Sequence, residues 1–106
     1  MNLNQFREIN KLTDMLTDAG IPCVSVCRMQ KDGMSVHVCY PAYDEVVCSA
    51  VVAPGSYGYK QGLIEIMGLL TDLEKEEDDV VGWLKADDVF CRIKKHWDMT
   101  KEAYNA

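Results

Sequence analysis

The residue types best suited to chemistry in this chain are two histidines and five cysteines. His37 and Cys39 lie two positions apart, a spacing that places both side chains on one face of a β-strand. A thiol beside an imidazole has the composition of an activated nucleophile. Neither an orienting acid nor an oxyanion-binding turn accompanies the pair in the sequence. We therefore expect no catalytic residues and no enzymatic activity.

The cysteines also raise the question of a metal site. Cys23 and Cys27 are separated by three residues, with His37 and Cys39 further along the chain, whereas paired zinc ligands more usually have two residues between them. Free cysteine is often buried and behaves in a core as a small apolar residue. We expect the thiols to be reduced and mainly buried, with no metal and no other cofactor.

A glycine-rich turn, defined here as residues 54–62, offers a possible anion site. Glycines precede a predicted helix there, and backbone N–H groups at a helix N-terminus can hold a phosphate. Tyrosine rings could stack on a base. The candidate residues for binding a nucleotide or a cyclic nucleotide are Ser56, Tyr57, Gly58, Tyr59 and Lys60. The alternative is an ordinary strand-to-helix turn, in which the glycines supply positive φ angles.

The acidic segment, defined here as residues 72–79, is a second candidate surface. Its carboxylates are Asp72, Glu74, Glu76, Glu77, Asp78 and Asp79, against one lysine, Lys75. Closely spaced carboxylates can imitate a run of phosphates and occupy a basic groove on another protein. The alternative is a solvated charge run that only improves solubility. The spacing does not match a calcium-binding EF-hand loop.

Composition excludes several classes of protein. The chain has 106 residues, 17 acidic against 11 basic, and a net charge of −6. A nonspecific nucleic-acid binder would need a basic surface, so we expect no direct contact with nucleic acid. No apolar run approaches the roughly 20 residues of a membrane span, and no secretory signal is recognisable. We expect one domain, residues 1–106, in the cytoplasm and without membrane contact.

The first half of the chain predicts a helix followed by three strands. Apolar residues at steps of three and four predict an amphipathic helix over residues 5–19. Asp32-Gly33 predicts a two-residue hairpin turn, which would place Met29 opposite Val36. The predicted strands cover residues 23–30, 34–40 and 46–53. The third strand is almost entirely apolar, which indicates burial on both faces or a homodimer interface.

The second half predicts helices. A helix starting at Tyr59 or Lys60 is expected to run to Leu70, and a final helix covers residues 86–97. Residues 80–84 are expected to form a turn that buries Trp83. The predicted fold class is α+β, with an N-terminal helix, a three-stranded antiparallel β-meander, and two C-terminal helices packed on one face of the sheet.

Several segments resemble a known group of proteins. They are Ser56-Tyr57-Gly58, residues 61–71, the acidic segment, residues 79–84 and residues 86–90. In these segments the chain resembles short acidic proteins that prophages and other mobile elements encode, a group without an assigned function. Lys85 departs from the Ser or Thr that would cap the last helix. The resemblance implies a phage setting and a bacterial host cytoplasm, and it supplies no catalytic residues.

These observations lead to two functional hypotheses. The first is stoichiometric binding of a host or phage protein with a basic surface, such as a nucleic-acid-handling defence complex, as anti-CRISPR and other anti-defence proteins do. The acidic segment would contact the partner, and exposed aromatic residues would anchor it. The candidate anchors are Tyr40, Tyr43, Tyr57 and Tyr59. The second hypothesis is a nucleotide-binding protein that sequesters a signalling molecule on the glycine-rich turn.

Overall fold

The computed structural model describes residues 3–105, and the side chains of residues 4–101. The chain folds as an α+β domain in which helices pack on one face of a five-stranded antiparallel sheet. A 3₁₀ turn, Leu3–Phe6, precedes α1 (Arg7–Asp18). The other helices are α2 (Asp72–Glu77) and α3 (Ala86–Asn105). The strands are β1 (Val24–Gln30), β2 (Gly33–Pro41), β3 (Val46–Val52), β4 (Ile64–Met67) and β5 (Val80–Leu84), and they follow one another in sequence order across the sheet.

The core lies between the sheet and the two longer helices. The apolar stripe predicted for the first helix ends at Ala19, which is exposed, but the stripe is confirmed for Phe6, Ile9, Leu12 and Leu16, which are all buried. Val89 and Ile93 of α3 are buried with them. The sheet contributes alternate residues of its central strands, because successive side chains in a strand point to opposite faces. These residues are Val36, Val38, Tyr40, Cys48, Ala50, Val52, Ile64 and Ile66.

The β1–β2 hairpin forms with a different register from the predicted one. Met29 pairs with Met34, and Gln30 pairs with Gly33, so Lys31 and Asp32 form the turn. The register is shifted by two residues from the prediction, which placed Met29 opposite Val36. Since side chains alternate with a period of two, each residue remains on its predicted face. β1 is an edge strand, and most of its residues are exposed.

The prediction of three strands was wrong, because the sheet has five. The predicted helix from Tyr59 or Lys60 to Leu70 is instead a short 3₁₀ turn, Tyr59–Gln61, followed by β4. The acidic segment contains the short helix α2, which has no buried residue. Only α3 of the C-terminal helices contributes buried residues to the core. Residues 80–84 form β5 and not a turn.

The N-terminus of α3 is capped from a distant part of the chain. Lys85 precedes this helix and has no side-chain oxygen, so it cannot act as an N-cap acceptor. The Glu8 carboxylate of α1 accepts a hydrogen bond from the backbone N–H of Ala86, with Glu8 Oε1 at 2.9 Å. This contact joins the two core helices at the point where a local cap is missing.

Candidate functional site: an acidic and aromatic groove

The short helix α2 is stabilised at its start by its own side chains. Thr71 accepts a hydrogen bond from the backbone N–H of Glu74, and the Glu74 carboxylate accepts one from the backbone N–H of Thr71. This reciprocal capping box satisfies two N–H groups that the first helical turn leaves free. It compensates in part for the absence of buried side chains in a helix of only six residues.

Arg92 of α3 attaches α2 to the body of the domain. Its guanidinium donates to both carboxylate oxygens of Glu74, at 2.7 and 2.8 Å. It also donates to the Asp88 carboxylate at 2.6 Å and to the Leu69 carbonyl at 3.1 Å. The hydrogen bonds that the Glu74 carboxylate accepts from Arg92, and next those with Thr71, lower the pKa of Glu74 to about 2. The Glu74 carboxylate is therefore paired within the chain, although the sequence grouped it with the partner-binding carboxylates.

The other five carboxylates of the acidic segment face solvent. Asp72, Glu76, Glu77, Asp78 and Asp79 are all exposed. Asp78 Oδ1 accepts a hydrogen bond from the backbone N–H of Asp79. A large share of the chain's negative charge therefore lies near the β5 edge of the sheet, in α2 and in the two residues that connect it to β5.

Two aromatic rings lie next to these carboxylates. Trp83, in β5, is 58% exposed and stacks on Tyr57 of the glycine-rich turn, with ring centroids 5.1 Å apart and an interplanar angle of 19°. The prediction that Trp83 is buried was wrong. Trp83 adopts φ +56, which is unfavourable for a bulky side chain and is found preferentially at functional positions.

Gly82 makes this stacking possible. A Cβ atom at Gly82 would lie 2.1 Å from the Tyr57 Cβ, so any other residue would push the glycine-rich turn away from β5. The backbone N–H of Tyr57 also donates to the Glu65 carboxylate of β4 at 3.0 Å. Both contacts fix Tyr57 in the position at which its ring meets Trp83.

Glu74, Glu77 and Asp78 line one groove of about 600 Å³ together with the aromatic pair; it is called the groove. Its lining residues are Tyr57, Glu74, Glu77, Asp78, Val80, Val81, Gly82 and Trp83. Aromatic faces attract cations through their quadrupole, and carboxylates form the stronger, charge-assisted hydrogen bonds with guanidinium or ammonium groups. The arrangement suits a cationic side chain with an apolar stem, which is the chemistry of arginine and lysine.

The structure separates the partner-binding residues predicted from the sequence. Glu77 and Asp78 line the groove beside Glu74, whereas Asp72, Glu76 and Asp79 lie outside its lining. Trp83 was not among the predicted site residues, because its side chain was expected to be buried. Among the candidate anchors, Tyr57 is in the groove and Tyr43 is exposed elsewhere. Tyr40 is not an anchor, because it is buried and its hydroxyl is hydrogen-bonded to His96 Nδ1 at 2.7 Å.

The glycine-rich turn shows less capacity for an anion than its sequence indicates. The helix that would have followed it is replaced by Tyr59–Gln61 and β4, so the expected helix N-terminus is missing. The Ser56 hydroxyl donates to the Ala53 carbonyl and accepts from the Ala53 N–H. The Tyr57 N–H is bound by the Glu65 carboxylate, whose charge repels a phosphate. Gly58, Tyr59 and Lys60 do line a shallow depression of about 280 Å³.

The cysteines differ more in burial than the sequence predicted. Cys39 and Cys48 are buried, Cys23 is intermediate, and Cys27 and Cys91 are exposed. Burial raises the pKa of Cys48 to about 12. In the described part of the chain, no group of three or more histidine, cysteine and acidic residues is arranged to hold a metal ion.

We predict that the thiols separate by alkylation rate. Iodoacetamide applied to the folded protein should modify Cys27 and Cys91 first, because they are accessible and thiolate is the reacting species. Cys48 should react only after denaturation, since it is buried and its thiol resists ionisation. Peptide mass spectrometry at increasing times checks this order. Early modification of Cys48 would contradict the described packing.

We predict that the Glu74–Arg92 pair gives the protein an acid-sensitive component of stability. The pKa of Glu74 falls from 4.5 to about 2 on folding, so its contribution is complete above about pH 4.5 and disappears as the pH falls toward about 2. The Glu74 side chain is 25% exposed, and solvent screens the pair, so Glu74→Gln should cost about 1–2 kcal/mol at neutral pH.

Urea denaturation of the Glu74→Gln variant as a function of pH checks this value. Its stability should approach that of the unmodified protein in acid. Glu76→Gln is the matched control, because Glu76 is exposed on the same helix and should change stability by only a few tenths of a kcal/mol. A constant difference between the Glu74→Gln variant and the unmodified protein at every pH would show that the ion pair does not stabilise α2.

Helix length and hydropathy identify no candidate membrane span among the described residues. The comparisons with known proteins do not extend the description of the site. No protein-family model, no curated protein and no solved structure matches the chain.

Proposed function

We propose that this protein acts by stoichiometric binding to a partner protein with a basic surface, and that the groove is the contact site. The observation that carries the proposal is the exposed Tyr57–Trp83 pair beside the Glu77 and Asp78 carboxylates. Either feature alone is common on protein surfaces. Together they offer one cationic side chain both a π face and a counter-charge.

The two components of the site have different physical roles. The exposed carboxylates attract a basic partner over several ångströms and accelerate association, an effect that salt reduces. The aromatic pair supplies apolar area that becomes buried on binding, and exposed tryptophan is a frequent energetic centre of protein interfaces. Association rate should therefore depend on the carboxylates, and the lifetime of the complex on Trp83.

Arginine fits the groove better than lysine does. Its planar guanidinium can stack on an aromatic ring while it donates two parallel hydrogen bonds to a carboxylate. Proteins that bind nucleic acid nonspecifically carry rows of such residues in their grooves, where they neutralise phosphates. We therefore propose that the groove and the acidic segment compete with nucleic acid for a basic groove of the partner.

The setting of this interaction follows from the resemblance to prophage-encoded acidic proteins. In that setting, we propose that the partner is a host defence complex that handles nucleic acid in the bacterial cytoplasm, for example a CRISPR effector. The protein would then be an inhibitor by occupancy, with no chemical step and no cofactor. The groove is formed within one copy of the chain, so the proposed contact does not require a homodimer.

Displacement of nucleic acid tests the proposal. A labelled oligonucleotide is bound to purified defence nucleases, including CRISPR effectors, and the protein is added at low and at moderate salt. We predict displacement for at least one of these nucleases. The Glu77→Lys/Asp78→Lys double variant should displace at least about tenfold less effectively, because the sign of the groove is reversed.

A matched control separates the groove from net charge. The Asp14→Lys/Asp18→Lys double variant makes the same change in total charge at two exposed positions of α1, away from the groove. It should retain most of the displacement. Equal loss in the two double variants, or displacement of none of the nucleases, would contradict the proposal.

A further inference from the structure

A small hollow lies on the sheet face opposite the core helices. It has a volume of about 170 Å³ and is lined by Val26, Arg28, His37, Cys39 and Tyr43. None of these residues belongs to the groove. The sheet register explains how they meet. Val26 of β1 pairs with His37 of β2, and Arg28 and Cys39 lie two positions further along their strands on the same face.

The charged lining of the hollow is positive. Arg28 has no ion pair with a carboxylate among the residues that the structure describes, although the chain as a whole is strongly acidic. The pKa of His37 is lowered, first by burial and second by the charge of Arg28. Two groups that can each carry a positive charge therefore line one small hollow that no carboxylate lines.

No carboxylate lines the hollow; the nearest acidic residues along the sheet and the chain are Glu65, two strands from His37 on the same face, and Asp44 and Glu45, which follow Tyr43. β1 presents Arg28, the segment after β2 presents Tyr43, and β2 itself contributes the buried Cys39 thiol. On β3, the residue paired with His37 is Val51, which does not ionise. An anion entering the hollow would meet a guanidinium, an imidazole and a phenol, all of which can donate hydrogen bonds.

We propose that this hollow binds a phosphoryl group, either as free phosphate or as the terminal group of a phosphate monoester. Arg28 donates hydrogen bonds to the phosphoryl oxygens, and His37 binds a proton and becomes a second cationic donor. Val26 and the Tyr43 ring form the apolar rim. The volume of the hollow limits the bound part to about one such group, because pockets for whole nucleotides are larger.

NMR titration of the two histidines tests this site, because His37 lines the hollow and His96 of α3 does not. The imidazole signals are followed against pH at constant ionic strength, first in chloride and then with inorganic phosphate or phenyl phosphate. Phosphate should raise the pKa of His37 and leave that of His96 unchanged. Acetate, with a single charge, should have a smaller effect. A stronger response to phenyl phosphate than to free phosphate identifies the monoester as the preferred form.

Two variants decide whether Arg28 holds the anion. Arg28→Gln should weaken phosphate binding at least about tenfold, while the pKa of its His37 should rise even without phosphate, because a neighbouring positive charge is gone. Lys31→Gln removes the same charge from the adjacent hairpin turn and should bind normally. An unchanged pKa of His37 in phosphate, equal shifts of both histidines, or equal loss in the two variants would overturn the proposal.

Discussion

Replacing Gly68 with alanine should destabilise the protein by about 3–5 kcal/mol. Gly68 follows β4 directly, with φ +91, and a Cβ atom there would lie 2.1 Å from the carbonyl oxygen of Val47. The obstacle is the backbone of β3, which cannot move without disturbing the β3–β4 pairs next to it, such as Ser49 with Met67. The expected loss therefore combines backbone strain with weakened pairing between two central strands.

Gly55→Ala is the control that isolates the steric part of this effect. Gly55 has the same φ of +91, but a Cβ atom there would meet no atom within 4 Å. This variant should lose only the conformational advantage of glycine, about 1 kcal/mol. Chemical denaturation of both variants gives the comparison. If the two losses were equal, the close approach of β3 to Gly68 would have no energetic consequence.

Replacing Trp83 with alanine should have the largest effect on binding. We expect at least about a 30-fold loss of affinity for an arginine-rich peptide, the size of effect seen for a dominant aromatic residue at an interface. The fold should tolerate the change, because the side chain is 58% exposed. Isothermal titration calorimetry with the same peptide measures the loss.

Leu73→Ala is the matched control for Trp83→Ala. Leu73 is a large apolar residue of α2 that is even more exposed, at 76%, yet it does not line the groove. Its replacement should leave the affinity for the peptide nearly unchanged. Similar losses from the two replacements would mean that exposed apolar area in general, and not the Tyr57–Trp83 pair, binds the peptide.

The elements that the sequence predicted correctly have strong and unambiguous periodicity. The stripe of α1 repeats over several turns, so the helix and its buried face could be recognised locally. The hairpin faces followed from the period of two, even though the turn was misplaced by one residue. In α1 and in β2, the burial of a row of side chains determines the structure.

The region from Tyr59 to Trp83 was harder to predict because its apolar runs are short. Ile64 and Ile66 alternate with Glu65 and Met67, a pattern of only four residues that also fits one side of a helix. Gly62 and Gly68 flank this run, and both adopt positive φ angles beside β4. In a short run, the neighbouring strands decide between helix and strand.

The acidic half of the candidate site could be found in the sequence, but the aromatic half could not. The run of carboxylates is local, whereas the Tyr57–Trp83 stack joins residues that are 26 positions apart. It depends on Gly82 lying against Tyr57, a close approach that no local pattern shows. Likewise, Glu74 lines the groove, but its carboxylate is already paired with Arg92 of another helix. Long-range contacts therefore select which of the predicted residues are available to a partner.

The proposed function requires the carboxylates and the aromatic pair to act as one binding site. A double-mutant cycle on Asp78→Asn and Trp83→Ala, with affinity for an arginine-rich peptide as the readout, tests it directly. If one cationic side chain contacts both groups, the loss in the double variant should differ from the sum of the single losses by about 0.5 kcal/mol or more. Strictly additive losses, or no measurable binding of the peptide to the unmodified protein, would contradict the account.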